Sequence, residues 1–119
     1  MDEEVAWKLF TQIVVGLHHC HARKAGPILH RDIKPDNVFL ENGLESVKLG
    51  DFGLSRTLDS PNALAQTFLG TPYYMSPEQI SHQAYNLKSD IWSLGCLLYE
   101  MCALVYVSAI FLLVVSAVH

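Results

Sequence analysis

Concentrated positive charge is missing from this 119-residue chain: Lys and Arg total 8 against 12 Asp and Glu, for a net charge of −4. No basic stripe or cluster forms, which argues against nucleic acid as a partner, since phosphate backbones are met by a cationic face. Paired cysteines are also missing. Cys20, Cys96 and Cys102 have no CxxC spacing, which excludes a zinc ribbon and a disulfide framework. An odd number of thiols in apolar surroundings reads as reduced cysteine in an intracellular protein. The opening Met1-Asp2-Glu3-Glu4 is acidic and no basic or apolar leader segment follows, so no secretory signal is expected. There is no internal repeat and no low-complexity linker. The length suits one small domain or part of a larger one. Charge itself runs out at Glu100: every residue from Met101 to Val118 is uncharged and most are apolar.

What is present reads as a few short elements. From about Glu3 to Ala22, Ala6, Phe10, Ile13, Leu17 and Cys20 recur at three- and four-residue steps, one face of an amphipathic helix. Gly26-Pro27 interrupts, and Ile28-Leu29 begins a short strand. The polar run His30 to Asn37 contains Pro35 and reads as a loop. Val38-Phe39-Leu40 and Val47-Lys48-Leu49, separated by a turn containing Asn42-Gly43, predict a hairpin. Asp51 to Met75 has neither helical nor strand period, and a loop that long is expected to be functional or mobile. Ser76-Pro77-Glu78 and Ser89-Asp90 look like two helix starts, with a capping Ser and a first-turn Pro at the former. The second leads into Ile91 to Tyr99, apolar nearly all round, which predicts a buried helix. His18, His19 and His21 do not share one helix face and find no third and fourth ligand, so solvated or packed histidines are expected rather than a metal site.

Three segments carry chemistry: His30-Arg31-Asp32-Ile33-Lys34-Pro35-Asp36-Asn37, Asp51-Phe52-Gly53 and Ser76-Pro77-Glu78. Each alone is a weak signal. In this order, with Asp90 and Trp92 following, they resemble the signature set of the protein kinases. The resemblance implies ATP as phosphoryl donor, Mg2+ as its cation and Ser or Thr of a protein as acceptor. It implies that Asp32 accepts the proton of the substrate hydroxyl, and that Lys34 supplies a point charge to the moving phosphate. Asn37 and Asp51 would offer the hard oxygen ligands that magnesium prefers. Such a reaction needs positioning and charge neutralisation more than covalent help from the protein. His30, Phe52, Gly53, Glu78 and Asp90 take structural parts. The Asp90 carboxylate is expected to accept hydrogen bonds from the backbone around His30 and Arg31.

The surroundings of these motifs narrow the resemblance. Val47 to Arg56, Gly70-Thr71-Pro72-Tyr73-Tyr74-Met75-Ser76-Pro77-Glu78 and Leu87 to Cys96 resemble the NIMA-related mitotic kinases, most of all the fungal members, over roughly Glu4 to Leu104. This implies a serine/threonine kinase of the cell cycle, in nucleus and cytoplasm. Lys34 two places after Asp32, and Thr71 before Pro72, fit Ser/Thr rather than Tyr specificity. Leu54 to Met75 would be the activation loop, with Thr67 as its phosphorylation site and Arg31 as the cation that pairs with the added phosphate.

Other kinase parts are not in this sequence: no Gly-rich loop, no Val-Ala-Ile-Lys strand and no partner glutamate for that lysine. Transfer needs that Lys–Glu pair together with the magnesium carboxylate, so this chain alone is expected to lack useful activity. The alternative reading is an inactive lobe fragment that acts at most as a binding module for substrates or regulators. The fold expected is α+β, mainly α: the C-terminal lobe of a kinase, truncated at both ends, with residues 1–104 kinase-derived and 105–119 an apolar tail. Glu78 is expected to lack the Arg that a later helix would supply. Three readings of the run from Met101 to Val118 stand: a truncated gene product reading into non-coding sequence, a membrane anchor, or a packed core helix. About 20 apolar residues span a bilayer, and the run reaches that length only when joined to the preceding helix. A central helix without its covering helices is expected to expose an apolar patch.

Overall fold

The computed structural model describes residues 2–50, 56–57 and 73–103. The chain opens with α1 (Glu3–His21), followed by β1 (Ile28–Leu29), a single 3-10 turn (Pro35–Asn37), β2 (Val38–Glu41), β3 (Ser46–Leu49) and β4 (Arg56–Thr57). Helices α2 (Pro77–Ile80) and α3 (Leu87–Ala103) complete the described elements, which are mixed and mainly helical.

Helix α1 starts where the Asp2 carboxylate accepts the Glu4 amide at 3.0 Å, with Glu3 and Glu4 in the first turn. Acidic groups there complement the free N–H groups and the positive end of the helix dipole. The buried face is Ala6, Leu9, Ile13 and Leu17. Phe10 and Cys20, expected on that face, are half-buried at its edge, and Leu9 takes the central place. Around Ile13 and Leu17 close Ile33, Leu94 and Leu97, with Phe10, Val38, Val47, Leu49 and Met101 packed against them. Ile33 is the telling member. It lies in the middle of the polar loop, yet only 1% of it is exposed.

The hairpin pairs β2 with β3 antiparallel in the register Val38↔Leu49, Phe39↔Lys48, Leu40↔Val47 and Glu41↔Ser46. Asn42, Gly43 and Leu44 all take positive φ in its turn, a conformation Asn and Gly accept and a branched residue resists. Polar contacts bind the hairpin to α1. Val47 N–H donates to Gln12 Oε1 at 3.1 Å, and Lys8 Nζ meets Glu45 at 2.6 Å.

Two expectations change here. Residues 51–75 looked free of strand, but Arg56–Thr57 pair antiparallel with Ile28–Leu29. A two-residue strand is too short to show a period. Helix α3 starts at Leu87 rather than after Ser89. The Asn86 carboxamide accepts Lys88 N–H at 2.8 Å, and Ser89 Oγ accepts Asn86 N–H at 3.2 Å, a reciprocal cap. Nor is α3 buried all round: Ser89, Asp90, Ser93, Leu94, Cys96 and Leu97 face inward, while Ile91 and Tyr99 are exposed. Among the described residues no helix is long and apolar enough to cross a membrane. The expected apolar run lies, beyond Ala103, outside the described residues.

Candidate functional site

The loop between β1 and β2 carries the site. Its ends are held by strands, and Ile33 anchors its middle in the core. Three residues converge: Asp32 and Lys34, both half-buried, and Asn37, which is buried. The Asn37 carboxamide nitrogen donates to the Asp32 carbonyl at 2.7 Å and to Asp32 Oδ2 at 2.9 Å. Lys34 Nζ lies 3.5 Å from the same Oδ2. Both partners of the Asn37 nitrogen can only accept, so the amide orientation is determined and Oδ1 remains as a hard oxygen donor. An amide oxygen of this kind fits magnesium. Asp51, Phe52, Gly53, Thr67 and Thr71 lie outside the described residues.

Gly50 brings the chain to the doorstep of Asp51. Its N–H donates to the Asn37 carbonyl at 2.9 Å, and its carbonyl accepts from His30 Nε2 at 2.9 Å. Asp32 N–H donates to His30 Nδ1 at 3.2 Å, so Nδ1 is the acceptor and the proton is on Nε2. His30, wholly buried, thereby ties the loop to the strand that leads into Asp51.

Beneath the loop sits Asp90, in the first turn of α3 and fully buried. Oδ2 accepts from His30 N–H at 2.9 Å and from His21 Nε2 at 2.7 Å. Oδ1 accepts from Arg31 N–H at 2.9 Å and from the Tyr85 hydroxyl at 2.5 Å. Four donors match the four lone-pair directions of a carboxylate. They hold Arg31 at φ 71, a left-handed conformation that costs a non-glycine residue of order 1–3 kcal/mol. The Arg31 guanidinium lies over the Tyr85 ring, 5.3 Å from its centroid.

Helix α2 is fixed by a capping box between Ser76 and Gln79. Among the described residues its Glu78 is met by the Ser89 hydroxyl, which donates to Glu78 Oε1 at 2.6 Å. Partial burial works to raise the Glu78 carboxyl, but hydrogen bonds from the Ser89 hydroxyl, its own backbone amide and Ser76 outweigh it, and the net direction is downward. Tyr74, just before α2, hydrogen-bonds Glu100, and its carbonyl accepts from Ser93 Oγ at 2.7 Å. The segment ahead of α2 is thus pinned along α3.

Sequence reasoning missed His21, Tyr85 and Ser89. His21 was one of three adjacent histidines with no metal geometry, and its true partner lies 69 residues away. Ser89 read only as a helix start, and Tyr85 carried no signal. Among the described residues no metal-holding cluster of His, Cys, Asp and Glu is found.

A loop that clamps an aspartate with an asparagine, beside a lysine and over a buried helix-borne aspartate, defines a class, and comparison with known proteins agrees: residues 1–109 match the protein kinase domain, and the chain belongs to that family. Within it the similarity is to the NIMA-related serine/threonine kinases. The chain is 58% identical over 106 residues to serine/threonine-protein kinase Nek2 of Homo sapiens, covering 87% of this chain and 24% of that protein. It is 44% identical over 120 positions to the G2-specific protein kinase fin1 of Schizosaccharomyces pombe, covering 87% of this chain and 16% of that protein. It is 46% identical over 125 positions to the G2-specific protein kinase nim-1 of Neurospora crassa, covering 86% and 14%. The chain spans a quarter or less of the length of these relatives.

Proposed function

We propose that this chain is the catalytic-loop part of the C-terminal lobe of a NIMA-related serine/threonine kinase, acting on Ser or Thr hydroxyls of cell-cycle proteins with ATP–Mg2+. The observation that carries the reading is the Asn37 carboxamide holding both the carbonyl and the carboxylate of Asp32, with Lys34 beside them. Asp32 then takes up the hydroxyl proton as the acceptor oxygen attacks. Lys34 balances charge on the group in transit, and Asn37 Oδ1 with Asp51 would hold magnesium, which neutralises the phosphate oxygens. Arg31 pairs with phosphate on Thr67, and Thr71 lies in the segment that meets substrate. The helical surroundings of the loop support the lobe assignment. The end of charge at Glu100 supports a kinase-derived unit over 1–104 with a distinct tail over 105–119, while the family match itself runs to residue 109. Family likeness supports residence in nucleus and cytoplasm.

Without the Gly-rich loop, its lysine and that lysine's glutamate, the 119-residue chain is expected to transfer no phosphate by itself. The test restores them. Residues 2–103 replace the matching segment of human Nek2, and the chimera is assayed with ATP–Mg2+ and a generic protein substrate. We expect transfer, and a loss of at least about a hundredfold in kcat on Asp32→Asn, as for removal of a general base. An active chimera indifferent to Asp32→Asn would sink the reading.

A further inference from the structure

Tyr85, in the connection between α2 and α3, meets Arg31 directly through its ring and indirectly through Asp90. Its hydroxyl donates to Asp90 Oδ1, the same oxygen that receives Arg31 N–H, and its ring lies under the Arg31 guanidinium. We propose that Tyr85 is a positioning residue: it sets the orientation of the Asp90 carboxylate and of Arg31, and through the Arg31–Asp32 peptide the angle at which Asp32 is presented. This rests on the reading of Asp32 given above, though the geometry it invokes needs neither nucleotide nor substrate.

A carboxylate on a helix turns broadly about its last torsion, so its donors decide where its oxygens point. His21 and His30 N–H fix Oδ2; Arg31 N–H and Tyr85 fix Oδ1. Without the Tyr85 hydroxyl, Oδ1 has a buried lone pair unmet, and the carboxylate is free to rotate away from Arg31 N–H. That N–H is what keeps Arg31 at its left-handed φ, and the next residue is Asp32. The ring adds a separate hold, because a cation over an aromatic face is attracted to it, more so when water is excluded. No other standard side chain supplies both a ring face and a hydroxyl at that reach: Phe keeps the first alone, Leu neither. Burial, then the negative charge of Asp90, push the Tyr85 phenol far above its ordinary range, which favours the protonated, donating form.

The test uses the 119-residue chain with Tyr85→Phe and Tyr85→Leu, read by residue-resolved amide exchange and by NMR of the Arg31 Nε–H and Asn37 carboxamide signals. In Tyr85→Phe, the Arg31 amide should exchange about tenfold faster relative to Ile13 in the core, as for loss of one hydrogen bond to a charged acceptor, while Arg31 Nε–H stays in place. In Tyr85→Leu, Arg31 Nε–H should move as well, and the Asn37 carboxamide, which reports on Asp32, should move with it. Equal acceleration at Arg31 and Ile13 would mean a merely structural role and would overturn the proposal, as would unchanged Arg31 exchange in Tyr85→Phe. Should Tyr85→Leu fail to fold, Tyr85→Phe decides alone. No nucleotide is present, so failure here leaves the Asp32 chemistry of the chimera standing, and the reverse also holds.

Discussion

Four donors around the two oxygens of Asp90 make that side chain expensive to remove. Asp90→Ala leaves the amides of His30 and Arg31, the His21 ring and the Tyr85 hydroxyl facing a hole. A loss of about 3–5 kcal/mol is expected in urea unfolding, the range for stripping one partner from a buried charged network. Asp90→Asn should be nearly as harmful, because its NH2 would point at two of those donors. Glu78 gives a pH prediction. Its folded carboxyl titrates below the ordinary value of 4.5, so the unfolded chain takes up the proton first. Its contribution to stability is therefore whole above the unfolded value and is lost as pH falls through the folded one. Ser89→Ala should narrow that acid window, seen as a smaller difference between unfolding midpoints at pH 6 and at pH values below 4.5.

Among elements, α3 depends on its cap and α1 on its inner face. Asn86→Ala removes the acceptor of Lys88 N–H and should cost about 1 kcal/mol, with Asn86→Gly milder, both by thermal or urea unfolding. Leu17→Ala, in the centre of the core, should cost about 2–5 kcal/mol. How far these elements could be read from sequence follows from the range of the forces involved. Helix α1 and the hairpin announce themselves, because periodicity and an Asn-Gly turn are local. The start of α3 was misplaced by three residues, since Asn86, Ser89 and Asp90 are all good cap types and only folding decides among them. Strand β4 was invisible because, among the described residues, it pairs with β1, a segment of the same two-residue length. The loop residues Asp32, Lys34 and Asn37 were legible as a motif. Their supports His21 and Tyr85 were not, because the contacts that give them meaning cross the chain.

For the molecule as a whole, the outer side of α3 is the weak point. Lys88, Ile91, Trp92, Gly95 and Cys96 line a shallow, largely apolar groove of about 440 Å³, and Trp7 and Val15 are exposed on α1. Apolar surface of this kind promotes self-association. Ile91→Lys should lower light scattering of the concentrated chain while moving unfolding stability by no more than about 0.5 kcal/mol, as for a surface change. The three thiols are free. Burial pushes the Cys96 thiol up to about 11 while Cys102 is exposed, so alkylation near pH 8 should label Cys102 first and Cys96 last. Ile33 joins these scales. Flanked by Asp32 and Lys34, it plugs into the same hydrophobic knot as Leu17 and Leu97. The reactive carboxylate and its neighbouring cation are therefore borne on either shoulder of a peg driven into the interior. Breathing of that interior is relayed to the two charges within one residue, so the aim of the site and the tightness of the core will soften together on warming.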